Sequence, residues 1–475
     1  MDTVHGDKRL PRIIQGGMGV GVSNWVLARA VAKSGNLGVV SGTALDTVLV
    51  RRLQDGDPGG HMRRAIAKFP IAKVGEEVLN RYFLPDGRPV GQPYRMLPMY
   101  KQVVSIARQQ VTMLANFVEV YLAREGHDGV VGVNLLTKVQ LPNLASLCGA
   151  MLAGVDYVLM GAGIPREIPG VLDAFWEHRT ASLRFDVEGL PPTEAEYLTF
   201  DPAMHGVDPS TPLKRPKFIA IVAATSLAMT LARKANGRVD GFVVEGPTAG
   251  GHNAPPRGEP HLNDRGEPVY GERDVVDLNR IAELGLPFWI AGGAGSPERL
   301  EESLAAGAAG IQVGTLFAYC EESGIADSLK QEVLQHAVLG EVDVVTDPRA
   351  SPTGYPFKVV RWNGDNADGP RRTRKCDLGY LRTAYRDPTG RIGYRCPAEP
   401  VDAYVKKGGS IEETEGRECL CNGLTANIAQ AQLRSGGIEE PPLLTSGDDL
   451  RSIQHFLGAR THYSAADVVD YLLGV

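Results

Sequence analysis

Residues 238–253, RVDGFVVEGPTAGGHN, decide how the chain is built. The segment 239–244 is short, apolar and rich in β-branched side chains, as a buried strand is. Glu245 ends it, Gly246-Pro247 breaks the pattern, and Gly250-Gly251 delivers one imidazole, His252. Two residues without a Cβ let backbone approach a flat ligand closely. A histidine just beyond them can exchange a proton near neutral pH.

The same unit, a short apolar strand closed by glycine, recurs on both sides. Strands are expected over 12–15, 37–40, 129–134, 156–160, 217–222, 287–290 and 310–313. Helices are expected over 24–33, 100–124, 142–153, 226–235 and 275–284. Ser23 is a candidate cap for the first of them, and Ser296 with Pro297 opens another after Ala291-Gly292-Gly293-Ala294-Gly295. Eight strands alternating with helices predict a (β/α)8 TIM barrel. Two stretches fall outside the alternation, an irregular insertion over 46–98 and a second over 172–216, the latter a lid or a subunit contact. Beyond His336 the alternation stops. The expected division is therefore a barrel over 1–335 and an extension over 336–475 packed on it, with turns at Asp387-Pro388-Thr389-Gly390 and Lys406-Lys407-Gly408-Gly409 and a last helix over 465–473.

Composition narrows the function classes. The chain has 475 residues, 43% of them hydrophobic, enough for a large core. Its 50 basic and 56 acidic residues give a net charge of −6, against a broad nucleic-acid footprint. No run of about 18 apolar residues exists to span a membrane. The first fourteen residues, MDTVHGDKRLPRII, hold no apolar core of a secretory leader. Six cysteines in this length fit reduced thiols in a cytoplasmic protein. Four of them, Cys376, Cys396, Cys419 and Cys421, crowd the extension. Four thiols can bind zinc or an iron–sulfur cluster, but the usual C-x-x-C pair is missing, so reduced structural or pocket-lining thiols are expected and no metal.

Glycine clusters follow five of the strands, and in a barrel those ends form one face. Gly292-Gly293-Ala294-Gly295 opens a helix, and Gly314-Thr315 follows the last strand. Amides at a helix N-terminus favour a phosphate, and the space after strands seven and eight is a frequent phosphate seat. No G-x-G-x-x-G follows a strand and no G-x-x-x-x-G-K-[ST] occurs, so a Rossmann site and a P-loop are unexpected.

Ile13-Ile14-Gln15-Gly16-Gly17-Met18, Gly132-Val133-Asn134, Gly161-Ala162-Gly163, Glu245 to His252, Ala291-Gly292-Gly293 and Gln312-Val313-Gly314-Thr315 carry a resemblance in that order. The chain resembles the nitronate monooxygenase (2-nitropropane dioxygenase-like) family, which includes the FMN-dependent enoyl-acyl carrier protein reductases. The likeness covers about 13–323, without the insertions and the extension. It implies an FMN-dependent oxidoreductase. Gly292, Gly293 and Gln312, Val313, Gly314 and Thr315 would hold the phosphate and ribityl chain. Gly17, Met18, Asn134, Glu245 and Gly250 would border the ring, and Gly19, Gly161 and Gly251 would also contact the cofactor. His252 matches the family's catalytic histidine. Two substrates follow from the resemblance: an alkyl nitronate oxidised with O2, or an enoyl thioester, on acyl carrier protein, reduced with NAD(P)H. Glu245 departs from the Gln of the monooxygenases and looks more like the reductases. The other expected partner is a second copy of the chain in a homodimer. The proline-rich loop over 253–273 is expected to be either a flap over the flavin or a solvent-exposed βα loop. Another phosphate-binding barrel enzyme and a non-catalytic flavin-binding subunit are the competing classes.

Overall fold

The structure is a computed structural model and describes residues 10–362 and 372–475. Most of the segment on which the absence of a leader was read, residues 1–9, lies outside the described residues. Eight parallel strands form one sheet: β1 (Ile13–Gln15), β2 (Gly38–Ser41), β3 (Val131–Leu136), β4 (Tyr157–Gly161), β5 (Lys217–Val222), β6 (Gly241–Glu245), β7 (Phe288–Ala291) and β8 (Gly310–Val313). They pair in the order β1-β8-β7-β6-β5-β4-β3-β2. A parallel bridge between Ile14 and Leu37 returns β2 to β1, with the Gln15 amide donating to the Leu37 carbonyl at 3.0 Å. The ring is closed, and the (β/α)8 barrel expected from the alternation is present.

The barrel is filled, not hollow. Alternate strand residues, Ile14, Val39, Leu159, Ile219, Val243 and Trp289, meet along its axis. Each such fully buried apolar side chain contributes about 1.5–3 kcal/mol. Trp289 satisfies its one polar atom by donating from Nε1 to the Pro11 carbonyl at 2.8 Å. The plug leaves only the carboxyl-end mouth open for a site.

Four local expectations need correction. The first helix (Trp25–Lys33) is capped by Asn24, whose side chain accepts from the Leu27 amide. Ser23 instead turns inward, its Oγ 2.9 Å from the Met18 amide and 2.8 Å from the Gly16 carbonyl. The insertion over 46–98 is not irregular: helices Leu45–Gln54, His61–Ile66 and Ala72–Tyr82 occupy much of it, their apolar faces packed on the long helix Ile106–Arg124. Helical spacing of Leu45, Val48, Leu49 and Leu53 was masked by the surrounding Arg, Pro and Gly. The second insertion starts later, because helix Ile168–Trp176 belongs to the barrel; an antiparallel pair, Ala181–Phe185 with Glu196–Phe200, follows it. The helix expected over 275–284 shrinks to Leu278–Ala282.

The extension adds two hairpins, β9 (Val342–Asp347) with β10 (Phe357–Trp362) and β11 (Thr383–Arg386) with β12 (Ile392–Arg395). Its last helix, Ala465–Leu473, falls where the sequence put it, capped by Ser464 and Asp467. Leu450, Phe456, Tyr463, Val468 and Leu472 join Ile13, Ile311 and Val313 of the barrel in one hydrophobic cluster. A second tie is polar: the Tyr380 hydroxyl reaches Asp46 Oδ1 at 2.5 Å, and Arg108 pairs with Asp46 Oδ2 at 2.7 Å, all three buried. Removing Asp46 or Arg108 would strand the other as a buried charge, and Tyr380 ties the extension to that pair.

Candidate active site

A cavity opens at the carboxyl ends of the strands. The structure brings every residue singled out in the sequence onto its wall: Gly17, Met18, Gly19, Asn134, Gly161, Glu245, Gly250, Gly251, His252, Gly292, Gly293, Gln312, Val313, Gly314 and Thr315.

Close packing explains two of the glycines. A Cβ on Gly17 would stand 2.2 Å from Asn134 Cβ, and the Gly17 carbonyl accepts from Asn134 Nδ2 at 2.8 Å. Gly292 has φ +87°, a conformation that L side chains rarely adopt, and a Cβ there would lie 3.0 Å from the Gly246 carbonyl oxygen.

Two buried polar atoms on this wall, Asn134 Oδ1 and Gln312 Oε1, have no hydrogen-bond partner among the described residues. Buried acceptors left unpaired cost about 1–3 kcal/mol each. Acceptors facing a cavity suit the imide and hydroxyl donors of a flavin and its ribityl chain, so the residues present fit that cofactor. At the proposed phosphate end, Asp449 accepts from the Gly295 amide. A carboxylate thus occupies one amide at the entry of helix Pro297–Ala305.

His252 is held from two sides. The chain around it runs beside β10, with the Lys358 amide donating to the Gly251 carbonyl and the Asn253 amide to the Pro356 carbonyl, both at 2.9 Å. Its ring meets Phe357 edge-on at 4.9 Å, and Nε2 lies 2.6 Å from Ser351 Oγ. Ser351 is fully buried and is bonded in turn to Thr353 Oγ1 at 2.8 Å. Burial, with Lys138 nearby, brings the imidazole down to about 4. Burial thus keeps the ring neutral across the neutral range, in the form that can accept a proton, while lowering its proton affinity.

Glu245 behaves oppositely. Its surface faces the cavity rather than bulk water, and burial pushes its carboxyl up to about 7. The folded chain thus keeps a proton there between about pH 4.5 and 7 that the unfolded chain has released, and stability falls as pH rises through that window. Gln cannot ionise. Ligand-free Glu245→Gln should therefore exceed the native chain in stability by about 3 kcal/mol at about pH 8, the gain vanishing near pH 4. Urea unfolding at both pH values measures it.

The sequence reading missed the far wall. Phe357, Tyr380, Leu420, Thr445, Ser446, Gly447 and Asp449 come from the extension, as does Ser351 behind His252; Cys421, one of the thiols expected as structural or pocket-lining, joins that wall. Thr445 Oγ1 accepts from the Gly251 amide at 2.9 Å, and Thr315 Oγ1 accepts from the Gly447 amide at 3.0 Å. The run of Ser, Thr, Gly and Asp was the available signal, since such a cluster marks a loop able to bond backbone and anions. Loop 253–273 lines a second cavity of about 470 Å³ that shares Glu245 and His252 with the first. Glu267 and Arg265 tie that loop to the extension at Thr346 and Asp343. His61 and His127 are half-buried and away from both cavities. Among the described residues no three His, Cys, Asp or Glu side chains are arranged to hold a metal ion, and no helix is long and apolar enough to cross a membrane.

Serine 351 gives a direct test of how the imidazole is oriented. Ser351→Ala should lower turnover about tenfold, the worth of one lost hydrogen bond, and leave cofactor affinity unchanged. Steady-state kinetics beside a flavin titration separates the two.

Comparison with known proteins comes to the same family as the motifs. Residues 186–350 match the family model described as Nitronate monooxygenase. A protein of Staphylococcus haemolyticus (strain JCSC1435) described as a probable nitronate monooxygenase is 34% identical over 137 residues, 28% of this chain and 36% of that relative. The chain thus spans little more than a third of the curated relative it matches. Among solved structures, FabK from Thermotoga maritima has a TM-score of 0.48 at 15% identity, covering 98% of this chain and 93% of that one. Nitroalkane oxidase from Streptomyces ansochromogenes has a TM-score of 0.47 at 16% identity, covering 98% and 96%. The resemblance read from the motifs is borne out.

Proposed function

We propose that this chain is an FMN-dependent oxidoreductase of the nitronate monooxygenase type, acting on alkyl nitronates with O2, with His252 as its proton carrier. One observation carries the reading: the ordered motif residues line a single cavity beside a neutral histidine, with Asn134 Oδ1 and Gln312 Oε1 unpartnered on its wall. Bound FMN would supply two-electron redox chemistry there. Gly292, Gly293, Gly314 and Thr315 would hold its phosphate; Gly17, Met18, Asn134, Glu245 and Gly250 would border its ring. Because Ser351 engages Nε2, Nδ1 of His252 is the nitrogen left to take a proton from a nitroalkane. The 1–335 barrel would bind the cofactor, and the 336–475 extension would keep water from it. A second copy of the chain is the proposed oligomeric partner, and a reducing cytoplasm the proposed setting.

A specific observation supports a second reading, reduction of an enoyl thioester by NAD(P)H. The cavity of about 470 Å³ bordered by Glu245 and His252 is lined by Ile164, Ile221, Leu227, Pro255 and Tyr270. That room exceeds what a small nitronate needs and suits an acyl chain, delivered on acyl carrier protein. Anaerobic mixing decides: bleaching of the flavin by a nitronate alone supports the monooxygenase, and bleaching by NAD(P)H alone the reductase. A protein that takes up no FMN overturns both.

A further inference from the structure

Cys376, Cys396 and the pair Cys419 and Cys421 come from three separate stretches of the extension yet meet in one cluster, all four as free thiols. They face each other in pairs, Cys376 with Cys396 and Cys419 with Cys421. Cys419 caps helix Leu420–Ala426, with Asn422 Nδ2 3.6 Å from its sulfur and Arg372 on its carbonyl at 3.3 Å. Cys421, two residues further along and inside that helix, lies on the wall of the candidate active site. Cys419 itself is only 8% exposed, which keeps bulky reagents away from it, and its neighbours Leu420 and Cys421 line the cavity.

We propose that the four thiols are a redox site that consumes hydroperoxide arising in the cavity. The Cys419 thiolate attacks one peroxide oxygen; the S–O bond forms, the O–O bond breaks, and hydroxide leaves to become water. The Cys421 thiol then attacks that sulfur, the S–O bond breaks, and a second water departs with its proton. Two thiols and one hydrogen peroxide thus give one disulfide and two waters. Cys396, packed against Cys419, attacks the disulfide and frees Cys421; Cys376 then attacks Cys396 and frees Cys419. The disulfide now joins Cys376 to Cys396, and a small external dithiol reduces it at the half-buried Cys376.

The electrostatics suit this division of labour. The hydrogen bond from Cys421, then Arg372, hold the Cys419 thiol well below the usual thiol range against burial, while Cys396 and Cys421 are pushed up by their thiol partners. The other two cysteines provide an internal control. Burial pushes Cys148 up to about 12, and Cys320 also rises; neither belongs to the cluster.

The test uses the full-length protein as purified, treated with one equivalent of hydrogen peroxide. Intact mass should fall by two hydrogens, and peptide mapping should find the disulfide within the four cysteines, with Cys148 and Cys320 still free. In Cys376→Ser the link should remain on Cys419. Dithiothreitol should restore the starting mass. Four thiols unchanged after peroxide, Cys419 carried to sulfonate without a disulfide, or one zinc or iron per chain holding the thiols would each overturn the proposal. None of these readouts depends on the substrate assigned above, so failure here leaves that reading standing.

Discussion

His252→Ala is expected to cut turnover of a neutral nitroalkane about 10²–10⁴-fold, the usual worth of a positioned proton acceptor. The same variant should turn over the preformed nitronate far better, because that substrate has already lost the proton. FMN content should hold, since the imidazole is tied to Ser351 and Phe357 of the extension. Steady-state kinetics on the two substrates, with the flavin spectrum as control, checks it. Equal losses on both would remove His252 from proton transfer. Burial brings the ring down to about 4, so the native enzyme should keep its basic form throughout the neutral range and lose nitroalkane turnover only as pH falls toward that value.

Gly292→Val is expected to weaken FMN about 100-fold, equivalent to about 2.7 kcal/mol. Valine at φ +87° is strained, and its Cβ would press on the Gly246 carbonyl and on Thr248 Oγ1, each 3.0 Å away. Relief can come only by moving the loop that would seat the phosphate. Quenching of flavin fluorescence gives the dissociation constant, and circular dichroism shows whether the barrel survives. Unchanged affinity would place the phosphate elsewhere.

Half of the cavity could be read from the chain and half could not, for a physical reason. A barrel strand is a local object: Val243, Val244 and Glu245 announce both a buried run and its end, and the following glycines lie next to them in sequence. Because all eight strands are parallel, every such end must come to one face, so Asn134 and Gln312 meet although far apart in the chain. No comparable rule places Ser351 against His252, or Thr445 against Gly251. Those contacts depend on how a segment outside the repeat folds back, and side-chain type alone does not say where it lands. The 46–98 region failed for a different reason, its helices being short and separated by breakers. The depressed imidazole was equally hidden, since burial is a property of the neighbours.

The loop Thr445-Ser446-Gly447-Asp448-Asp449 shuts the anion end of the cavity from near the close of the sequence. During synthesis the glycine-lined half of the mouth is therefore made long before its cover. On the reading proposed above, a chain carrying all eight strands but not this loop would offer FMN an uncovered seat, and its flavin affinity should fall below that of the 475-residue chain.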